Sequence, residues 1–427
     1  MELGRALPQI ATPPPGPLAT AWIARLAATE CPAFTARRAR RAEASGAAQD
    51  PIVWAEARGA NVLDVDGNRY VDLTGGFGVA AVGHAHPEVR SAILRQSERL
   101  VHALGDLHPS DVKIQLLERL AELAPFGDAR VVLSLSGADA VETALKTAVV
   151  ATARAGVLAF EGGYHGLAHG PLAACGYSAA FRRPFEAQLN PHVVFAPFPT
   201  SRAELAPCLS RVRALLDDRI GAVLVEPVQG RGGVRVAPDG FLPALRDLAH
   251  ERGALLVADE ILTGLGRCGV RWRSGETADL LCVGKALGGG MPISACIGRP
   301  EVMETWGTPD GEALHTGTFF GHPLGCAAAL AALNVIEREG LAARASRVGK
   351  RFAGRLREAG FDVAGEGLML GIRRPEPVLG LVHALLARGF LTLPCGQDAR
   401  TLQLLPPLTI DPALLDAFVV ALKEATS

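Results

Sequence analysis

Only five lysines occur in the 427 residues: Lys113, Lys146, Lys285, Lys350 and Lys423. Four fall within helical patterns and read as solvated surface charges. Lys285 instead follows the apolar run DLLCV and opens the glycine-rich turn GKALGGGMP. Desolvation at a buried strand end lowers the pKa of an amine, which suits it to Schiff-base chemistry with an aldehyde. The plain alternative is a surface lysine that ends a strand. Asp259 closes a second apolar run, ALLVADE. A carboxylate there can stay ionised beside a cation such as a protonated pyridine nitrogen. It could equally be satisfied by a helix N-terminus or an arginine.

A third constellation is SLSGADAVETALK, which reads as strand, small-residue turn and helix. Ser136, Gly137 and Ala138 fall at the helix N-terminus, where free amides and the helix dipole suit a phosphate. An ordinary tight turn would look the same. Tyr164 in GGYHG could stack on an aromatic ring or fill the core. Thr318 in HTGTFFGHP could offer its hydroxyl to a phosphate or cap a helix. GLGRCG at 264–269 matches the dinucleotide pattern GxGxxG, but it comes late in the chain, where that motif should open the first βαβ unit. His84 and His86 in GHAHP lack an accompanying carboxylate cluster, so no metal site is expected.

These residues need elements to hold them. ATAWIARLAATE reads as a short helix after the turn-rich PPPGP, and WAEARGANVLDVDGNRYVDL as a hairpin turning at Asp66-Gly67-Asn68. Two amphipathic helices follow. Val89, Ile93, Leu94, Leu100 and Val101 would share the face of one, and Leu117, Leu120 and Ala124 that of the other. Seven short apolar runs then alternate with helical patterns: VVLSLS, GVLAF, HVVFAPF, IGAVLVEPV, GALLVADEI, DLLCVGK and ISACIG. Runs apolar on both faces suit a mostly parallel sheet covered by helices. From Pro323 the chain reads as an Ala-rich helix, a second helix ending at Gly360, and a last one capped by Asp411-Pro412. The expected class is α/β, with a large domain at 76–322. A smaller α+β domain would combine the segment 1–75 with 323–427.

A formal net charge of -1 and scattered arginines argue against a nucleic-acid partner. The eight cysteines form no CxxC pair, which argues against structural zinc and for buried thiols in a reducing compartment. No run reaches the length of a membrane span and no leader pattern is visible, so a cytoplasmic enzyme is expected.

Taken together, DVDGNRYVDLTGG, GHAHPEV, SGADAVETALK, YHG, VEPVQG, ADEILTGLGRCG, GKALGGGMP and GTFFGHPLGCAAALA resemble the class III aminotransferases, in order and over nearly the whole chain. The resemblance implies fold type I and pyridoxal 5'-phosphate bound at Lys285, with Asp259 pairing with the pyridine nitrogen. Ser136, Gly137 and Ala138 would cradle the phosphate. Tyr164 and Ile261 would cover the two ring faces, with His165 and Glu226 beside the cofactor. It also implies a homodimer in which Thr318 reaches the neighbouring active site. The reaction would move an amino group from an amine or amino acid to a keto acid by ping-pong turnover.

Several positions depart from the family pattern. The glutamate usual after VEPVQG is Arg231, and the arginine it gates is Gln403. Leu262 and Leu167 replace a glutamine and an arginine found in branches of the family. These changes argue against a standard 4-aminobutyrate or ornithine enzyme. Arg231 is expected either to bind a substrate carboxylate or to point to solvent or another residue. Phe77 occupies the family's substrate-pocket position, or is a plain core residue. Rival readings are an amino-acid racemase, epimerase or aminomutase on the same fold, a nicotinamide-dependent oxidoreductase using GLGRCG, and a non-catalytic relative.

Overall fold

The computed structural model describes residues 2–45, 51–307 and 313–426. Three short strands come first: β1 (Trp54–Arg58), β2 (Asn61–Asp64) and β3 (Arg69–Asp72). The expected single hairpin is thus a three-stranded meander, because Gly59, at φ +54, adds a turn between β1 and β2. The seven apolar runs become β4 (Arg130–Ser134), β5 (Gly156–Phe160), β6 (Val193–Ala196), β7 (Ile220–Val225) and three later strands. Between them lies a ribbon of β8 (Val228–Gln229) and β9 (Arg235–Val236). The later three are β10 (Leu255–Asp259), β11 (Leu280–Val283) and β12 (Ser294–Gly298). All seven runs form one sheet, in the order β4-β12-β11-β10-β7-β5-β6.

Four of its six pairings are parallel. β12 runs antiparallel to β11 and β4. The link from β11 to β12 is residues 284–293, too short to carry a crossover helix, so the chain must turn back. Lys285 lies in that reversal.

Alternation within the strands explains the layers. Leu281 and Val283 face one cluster with Leu116, Leu120, Ala328 and Ala332 from the helices Asp111–Leu123 and Pro323–Arg338. Leu280 and Cys282 face the other way, against Ala140, Val141 and Ala144 of the helix Gly137–Thr152. Each such leucine contributes about 1.5–3 kcal/mol when taken fully out of water. The C-terminal third adds a sheet of β13 (Asp362–Glu366), β14 (Met369–Arg373), β16 (Leu393–Cys395) and β17 (Thr401–Leu404). The short β15 (Phe390–Leu391) pairs in parallel with β3, which ties the two ends of the chain together.

Some expectations need correction. The helix Pro87–Arg99 buries Val89 and partly Ile93, but Leu94, Leu100 and Val101 are exposed, and the last two lie beyond its end. In the next helix Leu116 joins Leu120 in the core, while Leu117 is only partly buried and Ala124 is the cap. Lys113 and Lys146 are not plain solvated charges. Lys113 donates to the Gly105 carbonyl at 2.9 Å, and Lys146 Nζ lies 3.2 Å from His315 Nδ1. Cys31 is exposed, whereas the other seven thiols are buried.

Candidate active site

Parallel strands leave a crevice at their C-terminal ends. Asp259 ends β10 and lies level with Cys282 on the neighbouring β11, three residues before Lys285. The two groups singled out in the sequence therefore emerge at the same edge of the sheet. Lys285 has φ +35, a strained conformation for a side chain with a Cβ. Gly78 lets the chain approach: a Cβ there would lie 3.7 Å from Lys285 Cδ and 2.8 Å from Leu262 Cδ1. Burial lowers the pKa of the Lys285 amine. The charges of Asp259 and Glu226 pull it up, and that of Arg231 pushes it further down. The net direction is down, which enlarges the neutral amine population near neutral pH.

Asp259 is buried, and its partner is neither an arginine nor a helix end. Oδ2 lies 2.8 Å from His165 Nδ1, and Oδ1 accepts the Ile261 amide at 3.1 Å. Burial works against the charged form of His165, but the hydrogen bond and charge of Asp259, helped by Glu226, outweigh it and raise its pKa. The bond holds the carboxylate in a fixed orientation. His165 Nε2 is buried and finds no hydrogen-bond partner among the described residues.

Glu226 follows β7 and is also buried. Its oxygens accept the amides of Tyr164 (2.7 Å) and Gly230 (3.2 Å). Burial raises its pKa to about 7, with His165 opposing and Asp259 adding to the rise. Without cofactor, the protonated form is therefore favoured by folding. Its stabilisation is complete below the ordinary value of 4.5 and disappears as pH climbs through about 7. Glu226→Gln should flatten that dependence. In thermal melts of the apoenzyme, the wild type should lose up to a few kcal/mol across this window and the variant much less. Parallel slopes for the two proteins would contradict the assignment.

The phosphate-type turn is built as expected. Ser136 caps the helix Gly137–Thr152, exchanging hydrogen bonds with Asp139. That uses the Ser136 amide and leaves those of Gly137 and Ala138 at the open end of the helix. A Cβ on Gly137 would sit 2.8 Å from Ile261 Cδ1, so glycine lets Ile261 lie against this turn. Ile261 in turn packs beside Gly284, which joins the turn, the end of β10 and the Lys285 loop.

Arg231 occupies an aromatic cage. Its guanidinium carbon lies 4.4 Å from the Tyr164 ring centroid, 5.0 Å from Tyr177 and 5.6 Å from Phe181. Among the described residues no carboxylate pairs with it. The sequence reading missed Tyr177 and Phe181, which lie in a GYSAAF segment that belongs to none of the motifs. Gln403 is buried on β17, where its amide donates to the Gly230 carbonyl at 3.0 Å. Phe77 is not a core residue: it is 68 % exposed, at φ +62, next to Gly78 on the rim. Thr318 is exposed in a groove with Lys113, Ser110 and His102, and none of the groups around Lys285 lines that groove.

In GLGRCG, a Cβ at Gly266 would lie 3.2 Å from Ala342 Cα and one at Gly269 3.0 Å from Ser346 Cβ. The loop is packed against the helix Leu341–Glu358 and offers no berth for a dinucleotide. His84 bonds Asp72 at 2.8 Å and His86 caps a helix, and no metal-binding cluster occurs among the described residues.

The family model for class III aminotransferases matches residues 43–426. The chain belongs to the class III aminotransferases. It is 34 % identical to an acetylornithine aminotransferase of Methanosarcina acetivorans, covering 88 % of this chain and 92 % of that protein. It is 36 % identical to a 5-aminovalerate aminotransferase of Pseudomonas aeruginosa, covering 88 % and 93 %. A pyridoxal-phosphate-bound amine transaminase from an uncultivated Pseudomonas species superposes with a TM-score of 0.81 at 30 % identity, covering 88 % and 95 %. This class III aminotransferase thus depends on pyridoxal phosphate and transfers amino groups between an amino donor and a keto acid. These three relatives are named for amino transfer, not for racemisation. No helix among the described residues is long and apolar enough to cross a membrane.

Proposed function

We propose that this aminotransferase accepts amino acids whose carboxylate is held by Arg231. The observation that carries the reading is the cage itself. Three aromatic rings hold the guanidinium without neutralising it, and its charge bears on the Lys285 amine. A cation over aromatic faces keeps its N–H edge free for an anion, and a carboxylate fits that fork bidentately. Gln403, spent on the Gly230 carbonyl, supplies no charge to compete with Arg231 for the carboxylate.

The residues of the cleft fit the cofactor. Asp259 is a buried carboxylate to which, among the described residues, no arginine or lysine is paired, which leaves it suited to a protonated ring nitrogen. The Gly137 and Ala138 amides offer donors to a phosphate, with Ser136 shaping the turn. Tyr164, with Arg231 over its ring, and Ile261, packed on the Gly137 turn, would cover the two faces of the ring. Bound pyridoxal phosphate supplies the aldehyde for amine exchange and the ring that takes up electron density. Lys285, whose amine burial biases toward the neutral form, would take the proton from the amine-bearing carbon of the substrate and deliver one to the cofactor's aldehyde-derived carbon. Asp259, oriented by His165, keeps the ring nitrogen protonated. Glu226 fixes the Tyr164 segment from behind.

We further infer a homodimer in which Thr318 serves the neighbouring chain's cofactor pocket. Thr318 is exposed, as are Phe319, Leu314, Leu104 and Leu107, apolar groups that a second copy would cover. We read 76–322 as the large domain and the two ends of the chain as the small one, in a cytoplasmic protein whose thiols are mostly buried.

Half-reactions test the substrate reading. Arg231→Ala should raise KM for a carboxylate-bearing donor by about tenfold or more, since a hydrogen-bonded charge contact contributes about 1.5–3 kcal/mol. A primary amine without a carboxylate should change little. Equal effects on both donors would remove Arg231 as the carboxylate anchor.

A further inference from the structure

Behind the Arg231 cage, a separate recess of about 650 Å³ opens between the β8–β9 ribbon and the ends of β14 and β17. Arg235, Arg373, Arg374 and Arg400 line it, against only Glu161 and Asp398. Neither Lys285, Asp259 nor Arg231 lines the recess. The turn Gly396–Arg400 forms the wall between the recess and the Arg231 cage. On one side the Gly396 amide donates to the Arg231 carbonyl at 2.9 Å, and the Gly396 carbonyl accepts from the Tyr177 hydroxyl at 3.1 Å. On the other side the turn presents Arg400.

The charges here are unbalanced. Arg373 is level with Thr401 across β14 and β17, and the Arg374 amide donates to the Arg400 carbonyl at 2.8 Å, so three like charges sit at adjoining strand ends. Like charges across strands repel. Arg235 lies beneath them, its guanidinium satisfied by carbonyl oxygens of Glu161 and Phe198 and the side chain of Gln229, which supply no counter-charge. Burial lowers its pKa, and Arg373 adds to that, with Glu204 and Glu161 opposing. Among the described residues none of the four arginines makes a salt bridge. Some arginines elsewhere are tied to carboxylates, as in Arg338–Glu88, Arg351–Asp416, Arg271–Glu337 and Arg99–Asp111. With a net charge of -1, the excess is local and not a property of the whole surface.

We propose that this recess binds a small multiply charged anion, one bearing phosphate groups or at least two carboxylates. Guanidinium forks match both groups bidentately, and a multivalent anion can engage several forks at once. The ligand would sit outside the catalytic cleft, so the inference does not depend on how Arg231 reads a substrate.

Calorimetric titration of the cofactor-loaded enzyme with pyrophosphate and, separately, citrate tests it, at ionic strength held constant with sodium chloride. Loading keeps the cofactor's own phosphate site closed to the probe. Saturable binding of one anion per chain is expected. The double variant Arg373→Ser/Arg400→Ser should weaken it by about tenfold or more, and Arg400→Gln alone, a milder change, should weaken it in the same direction. Binding of pyrophosphate alone assigns a phosphate-bearing ligand, and binding of citrate alone a polycarboxylate. No saturable binding of either anion, or equal binding by wild type and Arg400→Gln, overturns the proposal.

Discussion

Lys285→Ala is expected to lower turnover by at least about 10³-fold, because it removes both the attachment point and the general base. The size of the effect follows from position. Lys285 sits in a short strand reversal at positive φ, beside Gly78 and Leu262, with its amine desolvated. The chain has four other lysines, but Lys350 and Lys423 are exposed and Lys113 and Lys146 are bonded to Gly105 and His315. None can substitute. The variant should still fold, since it removes a side chain without leaving a buried charge unpaired, and its melting temperature without cofactor should stay close to that of the wild type. Its visible cofactor absorbance should shift or vanish. Turnover within tenfold of wild type would be incompatible with this role.

Asp259→Asn is expected to produce the second largest loss. Breaking a buried ion pair costs about 3–5 kcal/mol, which corresponds to roughly 10²- to nearly 10⁴-fold in rate. Asparagine keeps the size and can still accept the Ile261 amide, so the missing charge is what the experiment isolates. A second readout separates this from a packing defect. Without the Asp259 charge, burial dominates at His165, and its raised pKa should fall. In the wild type that raised pKa contributes stability below the ordinary value of 6.5, lost as pH rises through the folded value. Nitrogen chemical shifts of the imidazole, followed across pH in the apoenzyme, report it directly. An unmoved His165 titration with unchanged turnover would show that the carboxylate does not govern this end of the cleft.

Much of the scaffold was legible because the central strands are buried on both faces. Such strands read as unbroken apolar runs, and each of the seven runs found a place in one sheet. Lys285 and Asp259 stood out because each ends such a run with a charge. The turn Ser136–Ala138 was legible for a local reason as well, its serine three residues before an aspartate that completes the capping box. What stayed hidden depends on distant segments meeting. Tyr177 and Phe181 join Arg231 across fifty or more residues of sequence, and no spacing announces that contact. The exposure of Leu94, Leu100 and Val101 was hidden for a related reason, since apolar residues are also placed where one chain alone leaves them uncovered. Arg235, Arg373 and Arg400 come together only through the pairing of β14 with β17 and the ribbon beside them.

The most direct test is chemical. Borohydride reduction of the loaded enzyme fixes pyridoxal phosphate to the amine that holds it, and peptide mass mapping then locates the label. One label per chain is expected, on the peptide containing Lys285. A label on Lys113, Lys146, Lys350 or Lys423, or no stable label at all, would contradict the assignment of Lys285 as the cofactor's attachment point.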